Sequence, residues 1–147
     1  MANVTDIVNS INARIQAVLP TYAPLDYLYE IEKNNYQRNS KRFGTRVAAG
    51  LQINTTLKKI SVAQTFSVTL TDFYKSNNNS DSDKQATVLS LSDDLIAVMV
   101  DLIFTKIGLP DTVLNTELGG LADPLFIEES NVCIMEMDIT ISYRNDI

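Results

Sequence analysis

Residues 60–71 read Ile60-Ser61-Val62-Ala63-Gln64-Thr65-Phe66-Ser67-Val68-Thr69-Leu70-Thr71. The even positions are apolar, broken only by Gln64, while Ser61, Thr65, Ser67, Thr69 and Thr71 are small and polar. Successive side chains of a strand point to opposite faces, so this alternation predicts a strand of a one-sided antiparallel sheet. The pattern returns near the C-terminus. Cys133, Met135, Met137, Ile139, Ile141 and Tyr143 alternate there with Glu136, Asp138, Thr140 and Ser142. A third strand is expected from Thr45, Val47, Ala49, Leu51 and Ile53 on one face, with Arg46, Gln52 and Asn54 on the other. A shorter one is expected over residues 121–128, bounded by turns at Gly119-Gly120 and Ser130-Asn131.

Two segments carry the helical period instead. Ile7, Ile11, Ile15 and Val18 make one stripe, with Thr5 or Asn3 to cap it, Asp6 at the positive end of its dipole and Pro20 to stop it. A longer helix follows residue 82. Ser82 and Gln85 have capping-box spacing, and Asp81 and Asp83 suit the N-terminal dipole. Val88, Leu91, Leu95, Met99, Leu102 and Ile103 supply its buried stripe, and Lys106, Gly108 and Pro110 its end. Residues 22–43 are rich in Tyr, Asn and charge without a sustained period. A short strand over residues 25–32 and an exposed loop after it are expected there. The order of helix, strands, helix, strands predicts an α+β fold. It is a single domain, residues 1–147, with helices packed on one face of an antiparallel sheet and a hydroxyl-lined polar face opposite.

The chain has 147 residues, 45% hydrophobic and 20% charged, enough apolar area to offset the entropy lost on folding. Its net charge of −6 disfavours duplex nucleic acid, whose binding rests on a dominant basic surface. Cys133 is the single cysteine and lies in an apolar alternating run, which reads as a buried structural thiol. Residues 1–20 lack the apolar core of a signal peptide, and residues 95–104, the most apolar stretch, are too short to span a bilayer. A soluble, intracellular protein with no membrane partner is expected.

The residues offer few parts for catalysis. There is no histidine, which removes the commonest general base and metal ligand and leaves Cys133 without an imidazole to activate it. Gly119-Gly120 lacks the spacing and lysine of a phosphate loop and reads as a turn. Asp93-Asp94 point in different directions on a helix and read as a solvated face. The run Asn77-Asn78-Asn79-Ser80-Asp81-Ser82-Asp83 alternates oxygen ligands but lacks the glycine and closing glutamate of a calcium loop. A strand-to-helix loop is the preferred reading there. No catalytic residue, metal or cofactor is expected. The rival from another class is a small-ligand or metal-binding module, whose signature is thermal stabilisation by calcium.

One stretch rises above this background. Lys33, Arg38, Lys41, Arg42 and Arg46 gather basic charge in an acidic chain, interleaved with Tyr29, Tyr36 and Phe43. Tyr and Arg are favoured in protein interfaces, where they bury area and still make hydrogen bonds. In a homomer this segment pairs with acidic surface such as Asp81, Asp83 or Glu128-Glu129 of a neighbour. A solvated loop fits the same residues equally well, and single-stranded nucleic acid is a further reading.

Four stretches together resemble a known family. Leu28-Tyr29-Glu30-Ile31-Glu32-Lys33-Asn34-Asn35 leads into Lys41-Arg42-Phe43-Gly44-Thr45-Arg46-Val47. Gln64-Thr65-Phe66-Ser67-Val68-Thr69-Leu70-Thr71-Asp72 follows, and residues 131–145 close on Tyr143-Arg144-Asn145. From about residue 26 onward the chain resembles the tail terminator proteins of long-tailed bacteriophages. The resemblance implies an α+β subunit of a hexameric ring, assembled in the host cytoplasm and carried in the tail or neck of the virion. Such a ring sits on the finished tail tube, stops its polymerisation and presents a surface to the head connector. Its implied partners are its own copies, the tail tube protein and a connector or neck protein, with DNA passing through the lumen without specific binding. Another tail or neck component, a tube subunit or a connector adaptor, is the close alternative.

Overall fold

A computed structural model describes residues 4–25, 41–48, 51–56, 59–74, 81–105, 113–121, 123–127 and 131–146. Helix α1 (Val4–Val18) forms on the predicted period: Ile7, Ile11 and Ile15 are fully buried and Asp6 occupies the first turn. Thr5 lies inside the helix and is not its cap; Asn3 falls outside the described residues. The chain then enters β1 (Ala23–Pro24), which runs parallel to β2 (Arg42–Val47). Ala23 N donates to Lys41 O at 3.0 Å and Leu25 N to Phe43 O at 2.8 Å. The strand expected over residues 25–32 falls, apart from Leu25, outside the described residues, and β1 lies just before it.

The rest of the sheet comprises β3 (Gln52–Thr56), β4 (Lys59–Phe73), β5 (Val113–Leu121), β6 (Leu125–Ile127) and β7 (Val132–Asp146). Its order is β1-β2-β4-β7-β5, with β3 beside β2 on the edge of β4 and β6 beside β5 on the edge of β7. The two strongest alternating segments become the central pair. Each spans 15 residues, and they stay in antiparallel register from Lys59↔Asp146 to Phe73↔Val132. Every pairing is antiparallel except β1–β2, so the sheet is mixed at one edge, and the fold is α+β.

Register decides the faces. Val62, Phe66, Val68 and Leu70 of β4 stand beside Tyr143, Ile139, Met137 and Met135 of β7. Against this surface pack α1 and α2 (Asp81–Val100), the latter through Leu91, Leu95, Val98 and Met99. Of the residues expected in its stripe, Val88 and Ile103 are only partly buried, and Val98 was not among them. Helix α2 begins at Asp81, so Ser82 sits in its first turn and cannot be its cap. It ends in a π-helical turn, Asp101–Thr105, that the sequence pattern did not foretell; Lys106, Gly108 and Pro110 lie outside the described residues.

Three strand expectations are corrected. The single strand over residues 45–54 is two: β2 pairs residues 66–71 and β3 pairs residues 59–63. Gln64 sits at the break. It is buried, and its Nε2 donates to Ala48 O at 3.0 Å, where β2 leaves the ladder. The one polar residue in the apolar row of β4 thus satisfies a carbonyl that the strand switch would otherwise leave unpaired. Second, Gly119-Gly120 is no turn but lies within β5, at a bulge between Leu118↔Ile139 and Leu121↔Met137. Third, β6 is confined to Leu125–Ile127 rather than filling residues 121–128. Asn131, at the expected boundary, takes a left-handed φ of 55° and its carbonyl accepts from Tyr74 N, turning the chain into β7.

Gly119 is there for contact. A Cβ at this position would lie 2.7 Å from Asp138 Cβ and 3.1 Å from Asp138 O, atoms that cannot swing aside, whereas Gly120 has nothing within 4 Å. Gly119→Ala is therefore expected to destabilise the chain by about 1–3 kcal/mol, as overpacking does. Gly120→Ala is expected to be close to neutral in the same thermal melts.

Candidate interaction site

The basic segment divides on folding. Tyr29, Lys33, Tyr36 and Arg38 lie outside the described residues, as do residues 77–80 of the run considered for calcium, whose residues 81–83 open α2. Phe43 is only 2% exposed and belongs to the core, which removes it from the expected surface contact. Lys41 is drawn into a cluster at one end of the helical layer. Its Nζ lies 3.8 Å from Asp94, 3.9 Å from Asp72 and 5.4 Å from the centre of the Tyr22 ring. Tyr22 OH donates to Asp94 Oδ2 at 2.7 Å. Burial, the hydrogen bond to Asp94 and the charges of Asp94 and Asp72 hold the Tyr22 phenol well above its ordinary pKa. Asp94 is thus no solvated residue like its exposed neighbour Asp93 but the tie between α2 and the chain entering β1.

Arg42 donates to Pro24 O at 3.3 Å, reinforcing the β1–β2 contact. Arg46 lies on the opposite face of the sheet from the helices, 3.2 Å from Glu136, whose other oxygen accepts from Thr69 at 3.2 Å. Both arginines hold the sheet together within one chain. That face is the hydroxyl-lined one expected, but much of it is closed to water. Ser67, Thr69 and Thr71 are buried, and so are Val132 and Ile134 on the same side. Ser67 Oγ and Arg46 Nε are buried there without a hydrogen-bond partner, an arrangement that ordered water usually relieves. Thr65 and Thr140 join their hydroxyls across the strands at 2.9 Å. Asp83 sits in the first turn of α2, half-buried, and its carbonyl accepts from Thr87 Oγ1 at 3.0 Å; the backbone of Asp81 opens that helix.

Two other polar groups fasten the helices. Arg14 of α1 makes a two-pronged contact with Asp101 at 2.9 and 2.6 Å, and the hydrogen bond raises its pKa further. Lys84 lies 5.7 and 5.4 Å from the ring centres of Tyr74 and Phe126, which meet edge to face. The Cys133 thiol is buried as expected and pushed up to about 11, by burial first and then by Asp72, which leaves little thiolate to react. Among the described residues no group of three or more Cys, Asp or Glu side chains is placed to hold a metal. Among the described residues no helix is long and apolar enough to cross a membrane.

The described surface also carries large apolar side chains. Leu89, Ile96 and Val100 of α2 and Phe104 of the π-turn are all exposed, Phe104 by 80%. Their spacing of seven, four and four residues puts them on one side of the helix. Leu118 of β5 and Leu51 and Ile53 beside and in β3 are exposed as well. This second stripe was readable in the sequence, but a single buried stripe had already accounted for the helix. No protein-family model matches the chain, and no curated protein matches it in sequence.

Proposed function

We propose that the chain is a non-enzymatic assembly subunit, the terminator that closes the tail tube of a long-tailed bacteriophage. The observation that carries the assembly reading is the row of large apolar side chains that α2 leaves uncovered. A second stripe on a helix already packed by its first is costly in water and marks a surface for another protein. The finer assignment rests on the resemblance. Two of the stretches that carry it, residues 64–72 and 131–145, fall in the central strand pair β4 and β7, so they belong to the framework that shapes the subunit.

The mechanism is geometric. A ring of subunits binds the exposed end of the tube, covers the surface on which the next tube ring would form and presents a different one to the connector. No bond is made or broken. Ring closure itself comes from a rotation between neighbours that returns to its start after six copies. The purified chain is expected to give a light-scattering mass of six times 16.3 kDa, with single rings in negative stain. Long tubes from the same sample would transfer the chain to the tube-subunit reading.

A further inference from the structure

Helix α1 packs over β2 and α2 over β4 and β7, while β5 meets the helical layer chiefly at the π-turn. The layer therefore thins over β5, where Thr116 is still buried and the strand beyond it forms a ledge. Leu118 lies on it, on the helical side of the sheet, because its partner Ile139 is in the core. Asp94 of α2 and Asp101, seven residues on at the start of the π-turn, bind Tyr22 and Arg14 and so mark the flank that faces α1. The exposed stripe of Leu89, Ile96, Val100 and Phe104 is turned away from both that flank and the core. It walls the ledge over β5.

The same chain carries an insert of matching character. β3 packs chiefly against β4, and its outer edge pairs with no other described strand. Ile53, opposite Val62, is 60% exposed on the helical side, and Leu51 two residues earlier is exposed too. We infer that β3 of one copy, led by Leu51 and Ile53, docks on the ledge between α2 and β5 of a second copy. This deepens the ring reading and rests on it.

Area and shape favour that pairing. The wall and ledge expose on the order of 500 Å² of apolar surface, near the top of what a monomer normally leaves bare. Leu51 and Ile53 add about 200 Å². With about 57% of an ordinary interface apolar, the pairing buries roughly 1,200 Å² in all, the lower bound for a stable contact. A two-fold pairing would set one ledge against another and leave β3 bare. Joining different patches is head-to-tail and repeats around a ring.

The test uses full-length chains carrying Ile53→Cys or Ile96→Cys, mixed and mildly oxidised at the highest soluble concentration. Both sites are exposed, and Cys133 is buried, so wild-type chains supply the background. The 53–96 disulfide is expected to dominate over 53–53 and 96–96. Ile96→Glu is expected to weaken association about tenfold or more, as a central interface residue does. A dominant 96–96 product, no mixed product, or unaltered rings from Ile96→Glu each overturn the pairing; the last leaves the ring reading intact. Rings locked by the 53–96 disulfide that fail to stop tube growth would uphold the pairing and sink the terminator reading.

Discussion

Phe66→Ala is expected to lower the stability of the chain by about 3–5 kcal/mol, a fall in Tm on the order of 10 °C. Phe66 sits at the middle of β4, between Val47 of β2 and Ile139 of β7, with no exposed surface. Truncation removes a ring that both sheet neighbours and the helical layer pack against. The central strands are held in register along 15 residues and cannot collapse into the space, so the cavity cost adds to the lost transfer energy. Phe104→Ala removes the same atoms from a site 80% exposed and is expected to leave the melt of the single chain nearly unchanged. A comparable loss from both variants would contradict the placement of one ring in the core and the other on the surface.

Arg46→Glu is expected to cost about 2–3 kcal/mol at neutral pH, because it sets a second carboxylate where Glu136 now meets a guanidinium. An introduced carboxyl beside a like charge binds its proton more tightly in the folded than in the unfolded chain. Its penalty is therefore full at neutral pH and shrinks as pH falls through that raised pKa. Arg46→Met, which removes the partner without adding a charge, is expected to lose less and to lack this relief in acid. Denaturant titrations of the three proteins at neutral and acidic pH separate the two effects. A fully stable Arg46→Glu chain would mean that the ion pair does not hold the sheet and would return Arg46 to the surface contact expected from its sequence.

Legibility followed the physics of each element. The alternation in residues 60–71 and 133–143 identified the central strands because one face is buried along most of their length, and α1 was legible from three isoleucines four residues apart. The edges were not. Thr45, Val47, Leu51 and Ile53 alternate as one strand would, but Leu51 and Ile53 are exposed, and no local pattern states that the strand breaks and is tied off by Gln64. Gly119-Gly120 looked like a turn because a glycine demanded by close approach to Asp138 is indistinguishable, in sequence, from one demanded by a bend. The basic residues were visible as a cluster. Their partners, Glu136 for Arg46 and Asp72 and Asp94 for Lys41, are distant in the chain and appear only on folding.

The most direct test is to add the purified chain, well below the concentration of tube subunits, to tail tubes growing from their baseplates and to image the ends. The proposed function predicts that growth stops and that each tube carries one extra ring at its free end. Tubes that lengthen at their usual rate with bare ends, or that take the chain into their walls, would contradict it.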